Sequence, residues 1–293
     1  MYNYTEQIKC DIVKIRIDII SKEKINGILS DMNFLNYRLG GVEWSKETDL
    51  TTSDLIWYKD EPIKSIEFED GKIVIKGEWY EGEIQRILVS FIASKLYAAG
   101  RYLFHCSAVR YKDQTIMFMG GESNSGKTMS EIEACKRGAT IVSTETLVTD
   151  YDGNVLLGSK NIFLKKRAKG TERIDKPDQH EGVSKFFNEQ PEYKLYEEKT
   201  GIDLVVIPDI DGNYATVAGE MSEYEKEYQS FHCLNNYIGS DLLLASGIPM
   251  PLFDNTELRN KRAKFIKDFA KRRYLYIRGA GPTAIMDELD KLI

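Results

Sequence analysis

The sequence predicts an α/β fold preceded by an N-terminal α+β domain. Residues 115–119 are an apolar run typical of a buried strand, and a helix is predicted from Lys127 to Arg137 with Gly138 as its left-handed cap. A glycine-containing segment separates that strand from that helix. In the first half, residues 14–19 alternate strictly between polar and apolar side chains, and residues 66–75 predict a hairpin that turns at Asp70-Gly71.

A helix over residues 83–99 separates the two halves. Its apolar side chains recur on one face, and Gly100 ends it. We place the domain boundary directly after this helix, which gives an α+β domain over residues 1–100 and a second domain over residues 101–293. A chain of 293 residues is long enough for two modest domains, each with its own hydrophobic core.

Charge and composition exclude several classes of protein. A formal net charge of −6 argues against a nucleic-acid binder, which needs a basic surface. No stretch approaches the roughly 18 apolar residues of a membrane helix, and the first residues lack a signal peptide. We therefore expect a cytoplasmic protein with no membrane or nucleic-acid partner. Cys10, Cys106, Cys135 and Cys233 are too scattered for a zinc site and are interpreted as reduced thiols.

Residues 121–128 fit the phosphate-binding pattern G-x-x-x-x-G-K-[ST]. The predicted cofactor-binding residues are Gly121, Glu122, Ser123, Asn124, Ser125, Gly126, Lys127 and Thr128. The loop amides and the helix N-terminus would point at the phosphates of a nucleotide, Lys127 would reach the β- and γ-phosphates, and the Thr128 hydroxyl would bind Mg²⁺. The cofactors predicted are ATP and Mg²⁺, with GTP as an open alternative. The competing interpretation is a surface loop with an incidental Lys-Thr pair.

The elements around this loop complete the expected arrangement. Residues 103–109 and 115–119 predict two strands joined by a turn at Lys112-Asp113. Residues 139–146 predict a second strand of the nucleotide site, whose end should face the metal. Further along, we predict strands at residues 204–208 and 214–217, with a turn at Asp211-Gly212 between them. Ser222 and Glu225 predict a capping box for a helix towards Tyr237, and residues 257–269 predict another helix.

The series from His105 through residues 107–109, the glycine loop, residues 131–138 and the strand at residues 141–142 resembles P-loop kinases of the HPr kinase/phosphorylase type. These kinases are relatives of ATP-dependent phosphoenolpyruvate carboxykinase. The resemblance covers about residues 104–150 and continues loosely to residues 274–278 and the helix from Thr283. It implies a phosphoenolpyruvate-carboxykinase-like core with a mixed sheet over residues 101–293. Residues 1–100 carry no family signal.

The resemblance also implies roles for individual residues. The histidine before the loop, which matches His105, would lie near the transferred phosphoryl group. An acidic pair that follows the second strand in the family aligns here with Thr144 and Glu145, so only Glu145 keeps a carboxylate. Glu145 would bind Mg²⁺ or accept the proton of the attacking hydroxyl. The alternatives are a hydrogen-bonded core histidine and a solvated glutamate. His180 and His232 are assigned no role.

Two further groups are candidates. Lys165, Lys166 and Arg167 begin the densest basic cluster of the chain and would stabilise phosphate or an acidic substrate, unless they form an ordinary solvated face. Residues 170–198, rich in charge and interrupted by proline and glycine, predict a mobile flap. Asp209 and Asp211 are candidate acids, although turn formation explains them more simply.

The sequence therefore predicts a kinase that transfers the γ-phosphoryl group of Mg-ATP to a hydroxyl. The acceptor would be a serine or threonine of a small protein or peptide, or a free small molecule. One alternative is a nucleotide-binding regulatory or partner-binding module with degraded catalytic acids, and another is a nucleotide hydrolase or carboxykinase-like enzyme. The oligomeric state is open, a homo-oligomer included.

Overall fold

The computed structural model describes residues 1–120, 125–161, 193–238 and 243–293, together with the short strands at residues 165–166 and 181–182. These residues form two compact units. The first unit comprises Met1–Gly100 and Tyr237–Asn260, and the second comprises Arg101–Asn236 and Lys261–Ile293. The first boundary coincides with the end of the helix that precedes Gly100.

The first unit contains a six-stranded sheet in the order β3-β1-β2-β4-β6-β5. Strands β2, β4 and β6 run parallel, and the remaining pairs are antiparallel. The elements are β1 (Tyr2–Cys10), β2 (Val13–Ser21), α1 (Asn33–Arg38), β3 (Val42–Ser45), β4 (Leu55–Tyr58), β5 (Ser65–Glu69), β6 (Lys72–Lys76) and α2 (Glu81–Ala98). Alternate residues of β2, namely Ile15, Ile17 and Ile19, are fully buried, as the alternating sequence pattern predicts.

The second unit contains an eight-stranded sheet in the order β11-β10-β7-β8-β14-β18-β15, with β9 also paired to β7. The remaining elements are β7 (Tyr102–Tyr111), β8 (Gln114–Met119), α3 (Lys127–Lys136), β9 (Thr140–Ser143), β10 (Thr146–Thr149), β11 (Val155–Gly158), β12 (Lys165–Lys166), β13 (Glu181–Gly182), β14 (Leu204–Ile210), β15 (Val217–Glu220), α4 (Glu223–Asn235), β16 (Leu243–Ala245), β17 (Ile248–Pro249), α5 (Thr256–Phe269), β18 (Arg273–Gly279) and α6 (Pro282–Leu292). Strands β8, β14 and β18 are parallel, so both units mix helices with mixed sheets, as the predicted α/β class requires.

The segment Tyr237–Asn260 corrects the predicted domain of residues 101–293, because it belongs to the first unit. Phe253 packs edge-on against Phe68, with ring centroids 4.9 Å apart, and its ring lies 5.7 Å from that of Phe91. Such aromatic contacts bury large apolar surfaces. These contacts join residues that are far apart in the chain, so no local sequence pattern predicts them.

The core of the second unit lies where the parallel strands meet α3 and α6. Buried side chains of this core include Ile116 and Phe118 of β8, Ala134 of α3, Ile277 of β18 and Ile285 of α6. Fully burying an aliphatic or aromatic side chain of this size contributes about 1.5–3 kcal/mol. The packing therefore fixes α3, the helix that follows the glycine loop, against the strand that precedes the loop.

Asp290 of α6 adds a polar connection beside this core. Its carboxylate accepts hydrogen bonds from Tyr111 Oη at 2.9 Å and Arg137 Nη1 at 2.9 Å, and it forms an ion pair with Lys112 Nζ at 2.7 Å. Burial raises the pKa of Asp290, but the hydrogen bonds from these three residues outweigh burial and hold that pKa below its usual range. Asp290 is therefore ionised at neutral pH and links α6 to the end of β7 and to the end of α3.

Several predicted turns and caps are confirmed. The hairpin turns at Asp70 and Gly71, both with positive φ, and Lys112 and Asp113 form the turn between β7 and β8. Gly138, which follows the C-cap residue Arg137 of α3, has φ +94. The capping box of α4 is also present, with Ser222 N donating to Glu225 Oε2 at 2.8 Å and Glu225 N donating to Ser222 Oγ at 3.4 Å.

Two predicted strands are wrong in their extent. Residues 139–146 form two short strands, β9 and β10, which are separated by a turn at Thr144 and Glu145. The strand predicted at residues 214–217 begins only at Val217. Most of the predicted flap over residues 170–198 lies outside the described residues. None of the described helices combines the length and the apolar character needed to cross a membrane.

Candidate functional site

The glycine loop follows β8 at the edge where the parallel strands end. Residues 121–124 lie outside the described residues, and the second half of the loop begins at Ser125. Ile210 N, at the end of β14, donates a hydrogen bond to Ser125 O at 3.0 Å. Gly126 has φ +111, and a Cβ atom at this position would lie 2.6 Å from Ile210 Cδ1. The loop therefore needs glycine at position 126 for its backbone conformation and for its close approach to β14.

Lys127 is the first residue of α3, and its side chain folds back towards the end of β8. Its Nζ donates to Gly120 O, the last backbone carbonyl before the loop, at 3.3 Å. The first N–H groups of a helix have no partners within the helix and carry a partial positive charge. The lysine ammonium group and the start of α3 therefore offer positive charge at the same end of the loop, a combination that suits an anion such as phosphate. Thr128 follows in the first turn and is partly exposed.

Strand pairing brings His105 to the beginning of the loop. In the β7–β8 pair, Cys106 lies opposite Met119, so the next position along each strand sets His105 beside Gly120. On its other edge, β7 pairs with β10, where His105 lies opposite Thr146. His105 thus lies between the start of the loop and the β9–β10 turn.

Glu145 occupies that turn and points towards His105. Its Oε2 lies 3.6 Å from His105 Nδ1, and both side chains are partly buried, with exposed fractions of 18% and 29%. Its backbone is held on both sides, because Cys106 N donates to Glu145 O at 3.1 Å and Glu145 N donates to Ser159 Oγ at 2.9 Å. A carboxylate and an imidazole at this distance can attract each other electrostatically when the imidazole is protonated, and either group can exchange a proton with a bound hydroxyl.

Thr144, the other residue aligned with the acidic pair, has a structural role. It is buried, and its Oγ1 donates to Asn161 O at 2.7 Å. The hydroxyl of Ser159 accepts hydrogen bonds from both Glu145 N and Thr146 N, each at 2.9 Å. Thr144 and Ser159 therefore fix the turn that presents Glu145.

Glu131 lies beside this site, although no sequence motif marks it. Glu131 lies four residues after Lys127 in α3, on the buried face of the helix, and has no exposed surface. Neither carboxylate oxygen has a hydrogen-bond partner among the described residues. Burial raises the pKa of Glu131 well above its usual range, and the nearby Glu145 raises it further. The sequence feature that could have identified Glu131 is its position on the inward face of an amphipathic helix, although the sequence does not show which residues surround it.

Lys160 was also missed. Its Nζ donates to Val142 O at 2.5 Å and to Tyr196 O at 3.5 Å. Burial lowers the pKa of Lys160, while the negative charges of Glu197 and Glu131 raise it and partly offset the effect. Lys160 is partly buried, and its amine adds a positive charge near Glu131 and Glu197.

Two buried thiols lie beside the loop. Burial raises the pKa of Cys106 well above its usual range, and burial raises the pKa of Cys233 to about 11 although the positive charge of Lys127 opposes the increase. Both therefore stay protonated at neutral pH and are poor nucleophiles. All four cysteines are free thiols, as predicted from their spacing, and all four are buried.

The remaining candidates are less informative. Lys165 and Lys166 form β12, which pairs with β13, and Arg167 and His180 lie outside the described residues. At the end of β14, Asp209 accepts a hydrogen bond from Tyr276 Oη at 2.6 Å. Asp211 accepts one from Asn213 N at 2.9 Å, which is the turn interaction expected of it. His232 packs edge-on against Tyr228, with ring centroids 4.4 Å apart.

Within the described ranges, no group of three or more His, Cys, Asp or Glu side chains could hold a metal ion by itself. Magnesium in nucleotide sites is bound by one or two protein oxygens together with phosphates and water, so it needs no such group. In this part of the chain, the side chains of Thr128 and Glu145 carry oxygen atoms of the kind that bind Mg²⁺. No protein-family model matches the sequence, and no curated protein matches it.

Proposed function

We propose that this chain is an ATP-dependent phosphotransferase with a phosphoenolpyruvate-carboxykinase-like P-loop core, similar to kinases of the HPr kinase type. The observation that carries the proposal is the position of Lys127. Its Nζ lies 3.3 Å from the carbonyl oxygen of Gly120, which directly precedes the glycine loop and lies next to the strand position of His105. A cation, a helix N-terminus, an imidazole and a carboxylate converge at one edge of the sheet, and this combination suits transfer of a phosphoryl group.

In the nucleotide half of the site, residues 121–128 would surround the β- and γ-phosphates with backbone N–H groups. Lys127 would exchange its contact with Gly120 O for contacts with phosphate oxygens, which carry more charge than a carbonyl. Thr128 would bind magnesium, and magnesium when bound would neutralise charge that develops on the phosphates.

In the acceptor half, Glu145 is the proposed base. Its carboxylate would take the proton from the attacking hydroxyl, while the hydroxyl oxygen forms a bond to the γ-phosphorus and the bond between that phosphorus and ADP breaks. His105, 3.6 Å from Glu145 Oε2, would orient this carboxylate and add positive charge beside the transferred group. The acceptor is a hydroxyl of a small protein, a peptide or a small molecule.

A second candidate function is a nucleotide-binding regulatory or partner-binding module without efficient chemistry. The observation that favours it is Thr144, which stands where the resembling kinases carry an acid and whose hydroxyl is used to hold the turn. Such a module would bind nucleotide through the same loop and would transfer no phosphoryl group to any acceptor.

Two variants and one control test the proposal. Lys127→Ala removes a charge-assisted phosphate contact of about 1.5–3 kcal/mol and should weaken ATP binding roughly tenfold or more. Lys136→Ala, at an exposed position of the same helix, should leave binding unchanged. Calorimetry with Mg-ATP measures both. Equal affinities of the parent and the Lys127 variant would contradict the proposal that the loop binds nucleotide.

Glu145→Gln keeps the shape of the side chain and removes its charge. Transfer from γ-labelled ATP to serine- and threonine-containing peptides or to polyols, measured in a single turnover, should fall about 10²–10⁴-fold. Nucleotide should still bind. Unchanged transfer would remove Glu145 from the mechanism, and absence of transfer by the parent to every acceptor would favour the regulatory module.

A further inference from the structure

Asn26 and Gly27 lie in the segment of the first unit that joins β2 to α1, and they form the only Asn-Gly pair in the sequence. Asn26 is exposed. Neither its side chain nor the Gly27 N–H makes a hydrogen bond within the part of the chain that the structure describes. Residues 22–24, which precede the pair, are exposed as well, so little packing restrains the Asn26 side chain.

An asparagine that is followed by glycine can cyclise without an enzyme. The Gly27 nitrogen attacks Cγ of Asn26 and forms a C–N bond, while the bond between Cγ and Nδ2 breaks and ammonia leaves with the proton of the Gly27 nitrogen. Water then opens the resulting imide at either of its two carbonyl groups, which gives aspartate or isoaspartate at position 26. Glycine favours the first step, because it has no Cβ atom and its backbone adopts many conformations.

The residues that follow the pair are anchored. Ile28 N donates a hydrogen bond to Glu6 Oε1 at 3.2 Å, and Tyr4 Oη donates to Glu6 Oε2 at 2.8 Å. Glu6 has no exposed surface, so these donors replace the water that an exposed carboxyl group would bind. Further along, Ser30 donates to Glu81 through N at 3.0 Å and through Oγ at 2.6 Å. The exposed pair is therefore joined directly to a fixed segment.

We propose that Asn26 is a site of spontaneous modification, at which conversion to isoaspartate separates Ile28 from Glu6. In isoaspartate the main chain runs through Cγ, so one additional carbon atom enters the backbone directly before Gly27. There is little room for a shift at this point, because even a Cβ atom on Gly27 would lie 3.1 Å from Leu29 O and 3.6 Å from Glu6 Oε2. Loss of a partner of a buried carboxyl group is unfavourable, so the modification should destabilise the first unit.

The first experiment follows the mass of one peptide. The purified protein is kept in neutral buffer at physiological temperature for several weeks, digested with trypsin and analysed by mass spectrometry. Residues 25–38 form one tryptic peptide, which also contains Asn33 and Asn36 as internal controls. Fragment spectra should show the exchange of an amide for an acid at Asn26 alone. A protein-isoaspartate methyltransferase with labelled methyl donor should label the same peptide.

Two variants test the chemistry. Asn26→Gln would have to form a larger ring, and Gly27→Ala carries a side chain that hinders the approach of its nitrogen to the amide. Neither variant should gain an acid at position 26 over the same time. The proposal is overturned if the parent shows no exchange at Asn26, or if both variants show as much exchange as the parent.

A third variant, Asn26→Asp, carries the new negative charge on an ordinary backbone and so isolates the effect of the added carbon atom. The modified parent should melt roughly 2–8 °C below the fresh parent, the shift expected for loss of about one hydrogen bond. Freshly prepared Asn26→Asp should melt with the fresh parent. The separation of Ile28 from Glu6 is overturned if the modified parent melts with the fresh parent, or if Asn26→Asp melts as low as the modified parent.

Discussion

Replacement of Gly126 by alanine should damage the loop in two separable ways. At φ +111 an alanine is strained, and left-handed backbone costs an L-residue about 1–2 kcal/mol. The added Cβ would also meet Ile210 Cγ1 and Cδ1 at 2.6 Å, and overpacking of this kind typically costs about 1–3 kcal/mol. Gly126→Ala should therefore lower the free energy of unfolding of the second unit by about 2–5 kcal/mol.

Gly138 offers a matched control for the strain alone. It has φ +94, and a Cβ added there would meet nothing within 4 Å, so Gly138→Ala should cost only about 1–2 kcal/mol. Ile210→Ala removes both clashing atoms and leaves only its Cβ, at 3.5 Å from the added methyl. In a double-mutant cycle, Ile210→Ala should therefore recover about 1–3 kcal/mol of the loss caused by Gly126→Ala.

Urea unfolding of the four variants measures these differences, and calorimetry with Mg-ATP measures the consequence for binding. Gly126→Ala should weaken nucleotide binding, while Gly138→Ala should not. The reasoning would be refuted if the two alanine variants lost equal stability, or if Ile210→Ala added its own cost to that of Gly126→Ala without any coupling.

Two other predictions concern charge. Asp290→Asn should lower the free energy of unfolding by about 1–2 kcal/mol at pH 7, because it removes a negative charge that interacts with three donor groups. The pKa of Asp290 is lowered in the folded state, so its contribution is present above the ordinary aspartate pKa and is lost as the pH falls through the folded value. The difference between the parent and the variant in urea unfolding should therefore shrink as the pH falls below the ordinary aspartate pKa, and a constant difference would contradict the assignment. Neutralising Lys165, Lys166 and Arg167 together should depress turnover more than nucleotide affinity if they contact the acceptor, whereas intact turnover with lower solubility would identify a solvated face.

The parts of the site that the sequence predicts correctly depend on neighbours in the chain. Gly126 and Gly138 delimit α3 because glycine alone adopts their positive φ angles without strain, and the capping box at Ser222 closes within one helical turn. Such interactions are encoded by residues three or four positions apart. Their sequence patterns therefore predict the structure directly.

The break between β9 and β10 is a different case. Residues 139–146 are rich in β-branched side chains and predict one continuous strand, and the sequence shows no glycine or proline at the break. The turn is fixed by Ser159, whose hydroxyl accepts from both Glu145 N and Thr146 N. Because Ser159 comes from a later part of the chain, a local pattern could not reveal it.

Glu131 illustrates the limit for individual site residues. Its helical position follows from the sequence, but its burial depends on β7 and on the turn at Glu145, which approach α3 only in the folded unit. The helical periodicity places Glu131 on the inward face of α3, but it does not show which groups surround the carboxyl group. The three-dimensional arrangement shows that the carboxyl group is fully buried and has no hydrogen-bond partner among the described residues.

The contact of Phe253 with Phe68 and Phe91 constrains the order in which the chain can fold during synthesis. These rings pack within one unit although most of the other unit is encoded between them. The first hundred residues leave the ribosome early, yet their core cannot close until residue 253 has also emerged. By then, every strand of the second unit except β18 has been synthesised. Long-range closure of this kind costs little at equilibrium but slows folding. The unit that is translated first is therefore completed late, and its apolar surface stays open to chaperones while the central strands of the other unit assemble.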